Sequence, residues 1–90
     1  MKRYSLSECI ETLGLEQDFV IRCVRARWVI PVDTNEAESE FDEEDLSRLR
    51  LIRDLVEDLG VNDDAVPVIL HLVDQLFELR IRLEEYKRAS

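Results

Sequence analysis

Ala65, Ile69, Leu72, Leu76, Leu79, Leu83 and Tyr86 are spaced four, three, four, three, four and three residues apart. This unbroken heptad seam commits the last third of the chain to one long helix that needs a second helix to cover it. A second stripe, Val66, Leu70, Val73 and Phe77, points to another face of the same helix, and beyond Phe77 it turns charged at Arg80 and Glu84, although Ile81 stays apolar. One stripe can therefore pack on the preceding residues and the other on a second copy of the chain. With 90 residues there is little else to bury Leu76, Leu79 and Leu83, so a homodimer joined through Ile69, Leu72, Leu76, Leu79, Leu83 and Tyr86 is expected.

The preceding residues read as short helices. Ser5 and Glu8 have capping-box spacing, Leu6, Cys9, Ile10 and Leu13 share one helical face, and Gly14 is a stop signal. Leu15-Glu16-Gln17-Asp18 opens a second helix with acids in its first turn, and Phe19, Val20, Cys23 and Val24 face inward. Two short helices across a tight glycine turn form a helix-turn-helix. Trp28–Val32 and Ser39–Phe41 are expected to pair as a small two-stranded wing, Pro31 being tolerable on such an edge. A third helix is expected from Asp42 or Glu43 to about Leu59, with Leu46, Leu49, Ile52, Leu55, Val56 and Leu59 inward and Arg48, Arg50 and Arg53 outward. Gly60 ends it, and Asn62 caps the last helix, with Pro67 close enough to its start to be tolerated. The expected fold class is all-α, with residues 1–60 as the helix-turn-helix domain with its wing and 61–90 as the C-terminal helix with its dimerising coiled-coil arm.

Charge is placed unevenly. The formal net charge is -9, and eight acids with no Lys or Arg fall between Asp33 and Asp45, leaving about -1 for the rest. An acidic chain repels nucleic acid and anionic membranes at long range and favours basic partners. The electrostatic docking surface suggested by this pattern consists of Glu16 and Asp18 at the start of the second helix with Glu36, Glu38, Glu40, Asp42, Glu43 and Glu44 in and after the wing.

No catalytic set is legible. His71 is the sole histidine and has no ligand partner at zinc-site spacing. The pairs Glu43-Glu44, Asp63-Asp64 and Glu84-Glu85 lie at helix ends or on exposed faces, where carboxylates stay solvated rather than tuned for acid/base work. The acidic run lacks the alternation and the glycine of a calcium loop. Neither a cofactor nor an enzymatic activity is expected. Cys9 and Cys23 sit in apolar stretches and read as reduced, buried thiols, no signal peptide or membrane span is apparent, and the cytoplasm is the expected location.

In order and spacing, Tyr4-Ser5-Leu6, Leu13-Gly14-Leu15, Trp28-Val29-Ile30-Pro31, Phe41-Asp42-Glu43-Glu44-Asp45-Leu46 and Asp58-Leu59-Gly60-Val61-Asn62 resemble the winged helix-turn-helix domain of MerR-type regulators over about residues 4 to 77. The run from Asp58 to Leu70 and the arm that follows look closer to the chaperone-modulator branch, the CbpM-like proteins. That resemblance implies a modulator that binds the J-domain of a DnaJ/CbpA-like co-chaperone and blocks its stimulation of Hsp70. DNA-binding members instead carry Arg and Tyr early in the second helix and a basic wing. Here that helix opens with Glu16, Gln17 and Asp18, and the wing is acidic, which argues against nucleic acid as the partner. Arg22, Arg25 and Arg27 keep a MerR-type DNA-binding transcriptional regulator as the alternative, and an adaptor or antitoxin-like dimer is a third class.

Overall fold

The computed structural model describes residues 2–32 and 39–89. Four α-helices and a two-stranded antiparallel sheet run in the order β1 (Tyr4–Ser5), α1 (Leu6–Leu13), α2 (Gln17–Arg25), β2 (Glu40–Phe41), α3 (Glu43–Arg53), a π-helical turn (Asp54–Asp58) and α4 (Val66–Ala89). This is a mostly helical, winged helix-turn-helix arrangement.

The helix boundaries follow local chemistry. At the start of α1 the Ser5 hydroxyl accepts from the Glu8 N–H, and the Glu8 carboxylate accepts from the Ser5 N–H, both at 3.2 Å. Gly14 closes α1 at φ 66°, a left-handed conformation that an L side chain resists. Asp42 and Asp45 form the same reciprocal box at the start of α3, at 2.8 and 3.1 Å. Asn62 accepts from the Ala65 N–H at 3.0 Å and leads the chain into α4.

The core is shared by every helix. Cys9 of α1, Val20 and Cys23 of α2, Phe41 of β2, Leu49 and Ile52 of α3 and Val66 of α4 are completely or almost completely buried, with Leu15, Trp28, Val29, Leu46 and Leu70 beside them. Val66 and Leu70 therefore bind the base of α4 to the domain. The two residues that continue their stripe, Val73 and Phe77, are exposed.

Three expectations need correction. The wing strand Glu40–Phe41 forms, but its ladder partner is Tyr4–Ser5, in the register Tyr4 with Phe41 and Ser5 with Glu40. Trp28–Val32 is not a strand, because the Trp28 and Val29 N–H groups both turn back to the Cys23 carbonyl at the end of α2. One link between the two expected arms remains, the Val32 N–H donating to the Glu40 carbonyl at 2.8 Å. The expected wing tip from Asp33 to Glu38 lies outside the described residues.

The second correction concerns the end of the third helix. Its helical run reaches Asp58, but the last turn is wound i to i+5, and the Leu59 N–H reaches back to the Asp54 carbonyl. The extra residue in that turn rotates Leu59 off the apolar stripe, leaving it 72% exposed while Leu55 is buried. The third concerns the arginines of α3. Arg48 Nε donates to the Trp28 carbonyl at 2.6 Å, and its two terminal nitrogens grip Asp74 of α4 at 2.8 and 3.3 Å. Arg53 donates to the Leu13 carbonyl and pairs with Asp54, so of the three arginines Arg50 alone is fully on the outside, the other two being half-buried.

Candidate nucleic-acid interface

The α1–α2 pair presents the outer face of α2. Gln17, Asp18, Arg22 and Arg25 are exposed there, with Ile21 half-buried between them. Asp18, Ile21, Arg22, Arg25 and Ala26 together line a shallow depression. Arg22 and Arg25 occupy the last turn of α2, where the helix dipole favours cations. The Arg22 guanidinium stands 5.7 Å over the Trp28 ring and pairs with Asp63 just before α4. Its orientation is thus fixed from two sides while nearly half of its side chain remains open to solvent.

Arg27 follows in the turn after α2 at φ 61°, the one positive φ outside glycine among the described residues. Its N–H donates to the Val24 carbonyl at 3.1 Å and the Trp28 N–H to the Cys23 carbonyl at 3.0 Å, which is the hydrogen-bond pattern of a Schellman cap. A left-handed L residue costs about 1 kcal/mol here relative to the glycine usual at this position.

The acids expected to dock a partner are dispersed and partly engaged. Glu16 and Asp18 are exposed around the start of α2. Glu40 pairs with Arg3 at 2.9 Å, and Asp42 caps α3. Glu43 and Glu44 project from the first turn of α3 along a groove floored by Trp28, Leu51 and Phe77, with Arg27 on the same groove. Glu36 and Glu38 lie outside the described residues. Asp45, inside the capping box, has its pKa raised first by burial and then by the neighbouring Asp42 and Glu44 charges, although the Asp42 N–H works against the shift. The expected dimer residues Leu72, Leu76, Leu79, Leu83 and Tyr86 are all more than half exposed along α4, Ile69 is half-buried, and His71 is exposed.

Both cysteines are free and buried. Burial pushes the Cys9 and Cys23 thiols up to about 11; nearby acids add to the shift, and Arg22 opposes it at Cys23. Because the folded value is raised, each neutral thiol's contribution to stability is complete below the ordinary thiol range and is lost as pH climbs through about 11. In the native protein at pH 8, both thiols are expected to react with a chromogenic disulfide reagent at least a hundredfold more slowly than after unfolding in urea. Fast stoichiometric labelling of the folded chain would place a thiol outside the core.

A family model described as MerR HTH family regulatory protein matches residues 4–88. The chain belongs to that family. No curated protein matches it. The match covers nearly the whole chain, including the arm, and names the regulatory helix-turn-helix family as a whole rather than the chaperone-modulator branch. It overturns the expectation of a J-domain-binding co-chaperone inhibitor, and with it the expectation that nucleic acid is not a partner. The physical reason lies in where the charge sits. The expectation set the eight acids between Asp33 and Asp45 against the three arginines, whereas exposed charges act only over a screening length of about 10 Å. Glu40 is paired with Arg3 and Asp42 caps α3, while Arg22, itself paired with Asp63, gathers with Arg25 and Arg27 at one end of α2. As a member of the MerR HTH regulatory family, the chain is not an enzyme. Among the described residues no three His, Cys, Asp or Glu side chains gather as a metal site, and no described helix is long and apolar enough to cross a membrane.

Proposed function

We propose that the protein is a dimeric, cytoplasmic regulator that binds duplex DNA, with α2 as the helix offered to the major groove and residues 61–90 as the dimerising arm. The observation that carries this reading is the exposed run Arg22, Arg25 and Arg27 on and just after the second helix of a helix-turn-helix in a MerR HTH regulatory chain. In this motif the second helix reads base edges while cations around it meet phosphates. Arg22, already oriented by Trp28 and Asp63, loses little side-chain freedom on contact.

The arm supports a particular pairing. Counted outward from the midpoint between Phe77 and Glu78, the seam residues match as Leu76 with Leu79, Leu72 with Leu83 and Ile69 with Tyr86. An antiparallel pair of α4 helices brings each matched pair into one layer, and the 24-residue helix is about 36 Å long, enough to carry all of them.

The test is titration of the purified protein against fluorescent genomic duplex fragments at about 50 and 200 mM salt. Saturable binding that weakens steeply with salt is expected, and the double variant Arg22→Ala/Arg25→Ala should lose about a hundredfold in affinity and lower the salt slope by about 2. Absence of binding at the lower salt, or binding unchanged in the double variant, would exclude this use of α2.

A further inference from the structure

Three described residues take a left-handed backbone conformation, Gly14 at φ 66°, Gly60 at φ 67° and Arg27 at φ 61°. The chain has two glycines in all, and both occupy such positions. At the third, where the same Schellman geometry calls for glycine, an arginine stands instead. Strain of this kind persists where the side chain is wanted for something the backbone does not need.

Within the fold the side chain borders the groove it shares with Glu43 and Glu44, with no ion pair among the described residues to hold it there. Arg27 is exposed and takes no part in the four ion pairs found among the described residues, which engage Arg3, Arg22, Arg48 and Arg53. The cap is closed by backbone groups alone, through the N–H groups of Arg27 and Trp28. The left-handed residue also turns the chain away from the axis of α2. Arg27 therefore leaves from a different direction than Arg22 and Arg25, which follow the helix at i and i+3.

We propose that Arg27 is a phosphate-contacting residue, kept at a strained position so that the arginines of α2 engage the DNA backbone at a separate point beyond the end of the helix. This rests on the DNA-binding reading above and adds a trade of fold stability for binding at one residue.

Three variants of the full-length chain separate side chain from backbone. Arg27→Gly relieves the strain and removes the cation, so its melting temperature should rise by about 4 °C or more while DNA affinity falls about tenfold and the salt slope drops by about 1. Arg27→Ala keeps the strain and should melt near the wild type, with the same loss of binding. Arg27→Lys keeps a cation and should retain most of the affinity at wild-type stability. Arg27→Gly or Arg27→Ala binding as tightly as the wild type, while Arg22→Ala/Arg25→Ala fails to bind, would overturn this assignment alone. A fall in melting temperature for Arg27→Gly would also overturn it, because the arginine would then be holding the fold together. A wild-type protein that does not bind DNA at all would overturn both this assignment and the reading beneath it.

Discussion

Phe41→Ala is expected to destabilise the protein by about 3–5 kcal/mol, enough to unfold a large fraction of it at 37 °C. Phe41 is completely buried, and it sits where three parts of the chain meet. Its backbone pairs with Tyr4, its neighbour Asp42 caps α3, and its ring belongs to the same core as Cys9, Val20 and Leu49. A two-residue ladder is too short to stand by itself, so the pairing of β1 with β2 depends on that ring staying in the core. Loss of the ring therefore removes packing and lets the base of the wing separate from the N-terminal strand. Urea denaturation followed by far-ultraviolet circular dichroism should show a much lower midpoint with a similar slope. Phe41→Leu, which keeps most of the volume, should cost less than about 1.5 kcal/mol. A midpoint for Phe41→Ala within experimental error of the wild type would mean that the core does not close around β2.

What was legible in the sequence was local. The Ser5–Glu8 box, the Gly14 stop and the Asn62 cap each involve residues within four positions, and each stands where its spacing puts it. The stripe of α3 and the base of α4 were legible too, because helical periodicity reports a face whatever covers it. Strand pairing was not. Tyr4 and Phe41 are brought together by the fold, and a two-residue strand carries no alternation to announce it. β-branched residues at Val29, Ile30 and Val32 suggested a strand, but the Schellman turn at Arg27 had already committed the Trp28 and Val29 N–H groups to Cys23.

Arginine chemistry was hidden for a related reason. A stripe gives the mean direction of a side chain, and Arg48 is long enough to leave the solvent side, cap the Trp28 carbonyl and hold Asp74. Nothing in the residue type Arg signals a left-handed backbone, so Arg27 looked like one more surface cation. The three arginines themselves were visible, and the eight acids between Asp33 and Asp45 were weighed above them. Of the acids, Glu40 is paired with Arg3 while Asp42 and Asp45 close the cap of α3, and of the arginines Arg22 is paired with Asp63.

Leu76→Asp should convert the protein from dimer to monomer at micromolar concentration and weaken DNA binding by a hundredfold or more. Leu76 is 54% exposed in the single chain, as are its seam neighbours to a similar degree, so the substitution costs the isolated fold almost nothing. In the proposed antiparallel pair it places two carboxylates in the central layers, each against Leu79 of the partner subunit. An unpaired buried charge of that kind costs several kcal/mol per site, and the two sites sit side by side. The loss passes to DNA because a helix-turn-helix monomer holds one half-site and forfeits the effective concentration that the second reader enjoys. Sedimentation velocity reads the first effect and fluorescence anisotropy on duplex DNA the second. Circular dichroism should show a helix-turn-helix domain still folded, with fraying confined to the arm. The register has its own check. With Leu83→Cys, oxidation should link two copies poorly, because residue 83 faces residue 72 of the other helix, whereas a parallel seam would set the two introduced thiols side by side. Efficient cross-linking would reverse the helix direction, and a dimer that survives Leu76→Asp would move the contact from the heptad seam to the exposed Ile30, Val73 and Phe77 face.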